Sequence, residues 1–269
     1  MNRLFVYIIS LCLSVSIQAQ ESALMKVVYQ VSYKTTIEGG TWQDEMCLSI
    51  GKTTSHFYSI INYRNTVLMD SVKKSGGTMQ DYMNIITSRK SPGAAQTYHV
   101  FKNLPAGKIT YTDKFGKEGF KSIVPKNSVK WNLLRGDTVI AGHRCRLASA
   151  DYLGRMWRVW YATDIPTNDG PWKLYGLPGL ILEAKDSSGC FSFSATKIAS
   201  GGNEKIILGG AKYKECTPQK VMEFYKMKVE NPMAFVKGVL PPEVQVILSD
   251  KESKFLSKKR SACLIEIYR

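Results

Sequence analysis

Arg155-Met156-Trp157-Arg158-Val159-Trp160-Tyr161-Ala162-Thr163-Asp164-Ile165-Pro166 carries the strongest strand pattern of this chain. Trp157, Val159 and Tyr161 recur at every second position, so they share one face of a strand and Trp160 lies on the other. Bulk on both faces predicts a central or covered strand. Upstream, Ile140 to Ala148 reads as one strand, with Asp151 to Gly154 as the turn between the two, giving an antiparallel ribbon. Downstream, Pro166 removes a ladder donor and holds Ile165 extended, which ends the strand. The loop Thr167-Asn168-Asp169-Gly170-Pro171-Trp172 follows, and then Gly176-Leu177-Pro178-Gly179-Leu180-Ile181. Pro178-Gly179 has type II turn chemistry, proline presetting the first central residue and glycine supplying a positive φ at the second. The chain is expected to leave that turn as the strand Leu180–Ala184.

Similar alternation recurs on both sides of this stretch. Val27, Tyr29, Val31 and Tyr33 mark one strand, Met46, Leu48 and Ile50 another, and His56 to Tyr58 a third. Tyr98–Phe101 and Ile109–Thr112 read as a hairpin linked by Leu104-Pro105-Ala106-Gly107. Further strands are expected at Gly119–Val124, Asp137–Ala150, Gly189–Ile198, Lys205–Leu208 and Cys263–Tyr268. Thr217-Pro218 starts a helix with Val221, Phe224 and Tyr225 on one face. Asn231-Pro232 starts a second through Val236, stopped by Gly238 and Pro241-Pro242. Residues 62–95 read two ways, since Val67, Leu68 and Val72 suit a helix while Ser75-Gly76-Gly77 and Ser91-Pro92-Gly93 suit loops. The fold class is β-rich α+β, a curved antiparallel sheet with a few helices, in a single domain over 20–269.

The 269 residues carry 37 Lys+Arg against 22 Asp+Glu, a formal charge of +15. The excess is concentrated at 101–155, with 11 basic and four acidic residues, and at Lys251–Arg260, with five and one. Such a surface suits an anionic envelope or an acidic partner. Nucleic acid is not expected, because Arg3 followed by the apolar run Leu4–Leu13 reads as a secretory signal peptide over 1–19, cleaved after Ala19. Cys12 lies within that apolar run and makes a poor lipidation site. The remaining chain has no stretch near the ~20 apolar residues of a spanning helix, so no transmembrane segment is expected there. The protein is read as exported, periplasmic or secreted. Export leaves Cys47, Cys145, Cys190, Cys216 and Cys263, enough for up to two disulfides, with the pairing open.

The string Gly176–Ile181 is the hexapeptide of the GLPGLI family of exported bacterial proteins. The resemblance extends to Gly142, Cys145, Trp160 through Pro166, Gly170-Pro171 and Asp186, with thinner agreement at Ser55–Ser59 and Trp131. The C-terminal Ala262-Cys263-Leu264-Ile265-Glu266 departs from the Asn-Pro-Ile-Glu ending typical of relatives. The resemblance implies no established activity and therefore no catalytic residues. The order of strands and late helices also looks similar to lipoprotein-carrier folds, in which a curved sheet wraps helices around an apolar cavity.

Two roles compete for the loop. Pro166, Gly170, Pro171, Gly176, Pro178 and Gly179 read as structural turn residues that set the register of the next strand. Alternatively the loop recognises a partner, with Trp157, Trp160, Tyr161, Asp164, Trp172, Tyr175 and Leu177 as its surface. His143 and Cys145 project to one face of a strand and are the weak candidates for a metal. No cofactor motif appears, and Gly51-Lys52-Thr53 lacks the leading glycine of a phosphate loop. The expected function is a non-catalytic binding or assembly factor, presenting an apolar cavity or the Asp164–Leu180 loop to an envelope protein, peptide or lipid. The rivals are a hydrolase and a metal-handling protein using His143 and Cys145.

Overall fold

The alternating residues Val27, Tyr29, Val31 and Tyr33 are all buried in the computed structural model, and the strand they define joins the two halves of the sheet. The structure describes residues 21–88, 95–115, 118–209, 212–239, 250, 258 and 260–268. The expected signal peptide, the Ser91-Pro92-Gly93 loop, the Pro241-Pro242 stop and most of the Lys251–Arg260 cluster lie outside the described residues.

The strands in chain order are β1 (Glu21–Ser22), β2 (Met25–Lys34), β3 (Thr41–Ile50), β4 (Ser55–Ser59), β5 (His99–Lys102), β6 (Lys108–Phe115) and β7 (Glu118–Pro125), then β8 (Asn132–Ile140), β9 (His143–Tyr152), β10 (Arg155–Ala162), β11 (Leu180–Asp186), β12 (Phe191–Ser200), β13 (Lys205–Ile206) and β14 (Lys214–Glu215). The helices are α1 (Ile60–Lys74), α2 (Met79–Ser88), α3 (Pro218–Glu230) and α4 (Pro232–Val239). Twelve strands form one curved, unclosed sheet in the order β14-β7-β6-β5-β4-β3-β2-β12-β11-β10-β9-β8. β14 runs parallel to β7, and the other pairings are antiparallel. β3 to β7 and β8 to β12 are two meanders. β2 stitches them together, pairing with β3 from Met25↔Ile50 to Lys34↔Thr41 and with β12 from Phe191↔Tyr33 to Ser200↔Met25. The short β1 and β13 pair separately.

One face of the sheet, the inner one, carries the core. Tyr29, Met46, Leu48, Phe57, Val100, Ile109, Trp157, Val159 and Phe193 belong to one apolar cluster, which α3 joins through Val221 and Met222. α3 begins as the Thr217-Pro218 pair predicts, with the Thr217 hydroxyl accepting from the Lys220 amide at 3.2 Å. α4 begins at Pro232 as expected but runs past Gly238. The 62–95 region resolves into two helices parted by Ser75-Gly76-Gly77, Gly76 taking φ +79°. Thr78 and Asp81 cap α2 reciprocally, each side chain bonding the other residue's amide.

Three expectations change. Asp137–Ala150 is two strands, not one, because Ala141 and Gly142 both take positive φ (49° and 86°) and reverse the chain in two residues. The next reversal is equally tight at Leu153-Gly154 (52° and 76°), so β9 continues through Tyr152. Cys263–Tyr268 is not a strand: only Ala262 bridges, to Thr36. Its backbone is held instead by Arg155, which donates from Nε to the Leu264 carbonyl at 2.7 Å, and by the Ile267 amide bonding Leu153 O at 2.9 Å. The Cys190–Cys263 disulfide fastens the same segment to the start of β12, a pairing the sequence left open.

Candidate functional site

β10 delivers Trp157, Val159 and Tyr161 to the inner face, as their spacing predicts. The loop from Asp164 to Gly179 then folds back over that face. Trp172 packs at a tilt of 36° against Trp157 with centroids 5.5 Å apart and meets Tyr152 edge-on at 6.2 Å. Leu174, Tyr175 and Leu177 join the same cluster. A proposed recognition surface is therefore largely interior: Trp157, Tyr161, Trp172, Tyr175 and Leu177 are buried, Trp160 is half-buried, and Asp164 is exposed. The cause is the apolar area these rings remove from water when packed on each other.

The loop owes its shape to buried cross-links. Lys102 at the end of β5, 1% exposed, donates to Gly170 O (2.5 Å) and Trp172 O (3.0 Å) and pairs with the Asp169 carboxylate (2.5 Å). Burial lowers the Lys102 pKa, and Asp169 opposes that shift. Lys173 reaches the opposite way to Glu266 at 2.5 Å, both side chains almost fully buried. Trp131 Nε1 donates to Tyr175 O at 2.9 Å. Neither Lys102 nor Lys173 stood out in the sequence, since an isolated lysine has no local signature of burial.

The glycines divide the work differently from a type II turn. Gly176 takes the positive φ, +96°, whereas Gly179 does not. Gly179 is required by close approach, because a Cβ there would lie 1.9 Å from the Ala162 carbonyl oxygen. Gly170 packs similarly against Ile181, a Cβ falling 2.8 Å from that residue's own Cβ. Pro166 and Pro178 are exposed, while Pro171 is buried.

His143 and Cys145 do not converge. The His143 Nδ1 faces Asp164 Oδ2 at 2.9 Å, and that hydrogen bond lowers the Asp164 pKa. Cys145 instead turns to the His143 backbone carbonyl at 3.4 Å, and burial pushes its thiol up to about 11, which disfavours the thiolate a metal or a nucleophilic step requires. Among the described residues no group of three or more His, Cys, Asp and Glu is placed to hold a metal.

Between the inner face, α3 and the C-terminal segment lies an apolar cavity of about 240 Å³, lined by Val31, Tyr33, Tyr98, Phe193, Met222 and Ile265 among others. Its polar wall is a network. Asp113 accepts from Thr97 Oγ1 at 2.6 Å and from the Tyr225 hydroxyl, which also meets Tyr111 at 3.0 Å. Burial raises the pKa of Asp113, and these hydroxyl donors oppose it. The alternation of Val31 and Tyr33 in β2 signalled one wall of this cavity. Its closure by Met222 and Ile265, distant in sequence, had no local signal. No helix among the described residues is long and apolar enough to cross a membrane.

No curated protein matches this chain. The solved structures that align with it include "Structure of PNGF-II in C2 space group" at 15% identity and TM-score 0.47 over 77% of this chain, and "Structure of PNGF-II in P21 space group" at 14% and 0.46 over 75%. This chain spans about a third of the length of each, 33%. The family model described as "Protein of unknown function (Porph_ging)" matches residues 154–183, the span of β10, the loop and the first residues of β11. That match covers the part of the resemblance read from Trp160 to Ile181, and over it the chain carries the signature segment of an uncharacterised, GLPGLI-type family.

Proposed function

We propose that this protein is a non-catalytic binding factor of the cell envelope that holds an apolar group in its inner cavity. The observation that carries the reading is the roughly 240 Å³ space between the sheet and Met222, Tyr225 and Ile265. For comparison, an apolar cavity of ~150 Å³ accepts a benzene ring, so this one has room for an aromatic or branched side chain or a short acyl segment. Lys34 and Lys228, also on its lining, suit an amphipathic ligand with an acidic end. The signal peptide read over 1–19 and the Cys190–Cys263 disulfide support an exported, oxidising setting for a single domain over 20–269. In this reading the loop's aromatic residues shape the cavity's surroundings and leave Asp164 and Pro166 to face a partner.

The test is titration of the purified protein with N-phenyl-1-naphthylamine, whose fluorescence rises in apolar surroundings. Saturable enhancement is expected, lost in Met222→Trp, which fills the space, with the far-UV circular dichroism retained. Absence of enhancement, or full enhancement in a folded Met222→Trp protein, would refute the reading.

A further inference from the structure

A second cavity, on different residues and independent of the first, has the opposite chemistry. It measures about 460 Å³ and lies between the β3–β4 turn (Ile50 to Ser55), Lys102, Lys126 and the outer side of the loop at Pro166–Asp169 and Pro178. That volume falls within the ~300–1,000 Å³ usual for small-molecule sites. Its lining holds three lysines, Lys52, Lys102 and Lys126, against one carboxylate, Asp169, so 3 − 1 leaves two positive charges in excess. Asp169 and two backbone carbonyls take up the Lys102 ammonium. Among the described residues Lys52 and Lys126 form no ion pair, and Lys126 rests over the Tyr175 ring at 4.9 Å. The adjacent turn already demonstrates its taste for anions: the Glu21 carboxylate accepts from the amides and hydroxyls of both Thr53 and Thr54. Those Thr53 and Thr54 donors are therefore occupied. Thr167 and Asn168 also line the cavity, and so does Ser55, 1% exposed, whose hydroxyl has no hydrogen-bond partner in the structure.

We propose that this cavity binds a small oxyanion, a carboxylate or phosphate group, between Lys52 and Lys126, with Thr167, Asn168 and Ser55 as the hydrogen-bonding wall. With Lys102 balanced by Asp169, the Lys52 and Lys126 ammonium groups exceed the one further carboxylate at the turn, Glu21, and leave a concave region of net positive potential where a compact anion gains charge-assisted hydrogen bonds. Because the loop supplies one wall, the site uses the segment that defines the family.

The experiment is calorimetric titration of the purified protein with inorganic phosphate and, separately, with acetate, chloride being adjusted to hold ionic strength constant. Saturable binding of at least one is expected, and which one saturates identifies the anion. Lys52→Met lies on an exposed turn and should weaken it at least tenfold without changing the melting temperature. Ser55→Ala should weaken it several-fold with stability unchanged or raised, since it removes a buried hydroxyl that lacks a partner. Lys185→Met, on β11 and outside the cavity, should bind as the parent does. Failure of both anions to saturate, or unaltered binding in Lys52→Met, would overturn the proposal, whatever the outcome with the apolar probe.

Discussion

Gly179→Ala tests the packing of the loop against the sheet most directly. The added Cβ would sit 1.9 Å from Ala162 O and 2.9 Å from Ala162 C, when real Cβ contacts essentially never fall below 3.0 Å. The two backbones must therefore part by about 1 Å. Ala162 pairs with Leu180 on one side and with Cys145 on the other, so the movement falls on the β9–β10–β11 ladder and no flexible side chain can absorb it. Overpacking of this kind costs about 1–3 kcal/mol and a strained ladder bond about 1 more, for an expected loss of about 3 kcal/mol. In a domain of this size that corresponds to a fall in Tm of roughly 6–12 °C. Two companions calibrate the result. Gly176→Ala meets only Trp131 Nε1 at 3.7 Å but must hold φ +96°, a backbone penalty of about 1–2 kcal/mol. Gly40→Ala meets nothing within 4 Å and should be near neutral. Urea unfolding followed by tryptophan fluorescence measures all three. A Gly179→Ala protein within about 0.5 kcal/mol of the parent, or one more stable than Gly176→Ala, would refute the close-approach argument.

Lys173→Met leaves Glu266 buried without its cation and should cost about 3–5 kcal/mol, much of it recovered by adding Glu266→Leu; equal losses in single and double variants would contradict a paired role. Cys190→Ser together with Cys263→Ser removes a cross-link between positions 73 apart, worth about 4 kcal/mol by loop closure, to be read as a lower urea midpoint in oxidising buffer. His56 and His99, stacked with their ring nitrogens 2.9 Å apart, have pKa values lowered first by burial, that of His99 to about 4. The folded protein thus binds fewer protons than the unfolded chain between the ordinary value of 6.5 and about 4, so stability should be level above pH 6.5 and fall as pH drops through that window. His99→Asn should flatten the fall. Glu21, whose pKa burial raises but bonds from Thr53 and Thr54 bring down to about 2, stabilises fully above 4.5 and loses its contribution as pH falls from there toward 2, which Glu21→Gln would remove.

Local physics was legible in the sequence wherever neighbours in the chain settle the outcome. The period of two in β2 and β10 and the Thr217-Pro218 cap each follow from a few consecutive residues, and with them the β-rich class, whereas β10 already ends at Ala162, ahead of Pro166. The hairpin at Ala141-Gly142 was local too, but alanine at a positive φ gives no warning, so two strands read as one. Tertiary structure alone decided the rest. That Lys102 would be buried beneath the loop, that Gly179 would touch Ala162, that Cys190 would choose Cys263 and that Met222 and Ile265 would enclose space with Tyr33 all depend on residues far apart in the chain. Alternation fixes which face a side chain occupies, but not which distant side chain it meets there. That depends on strand order and on the register of β2 between β3 and β12, which are set by the packing of the whole sheet rather than by any single segment.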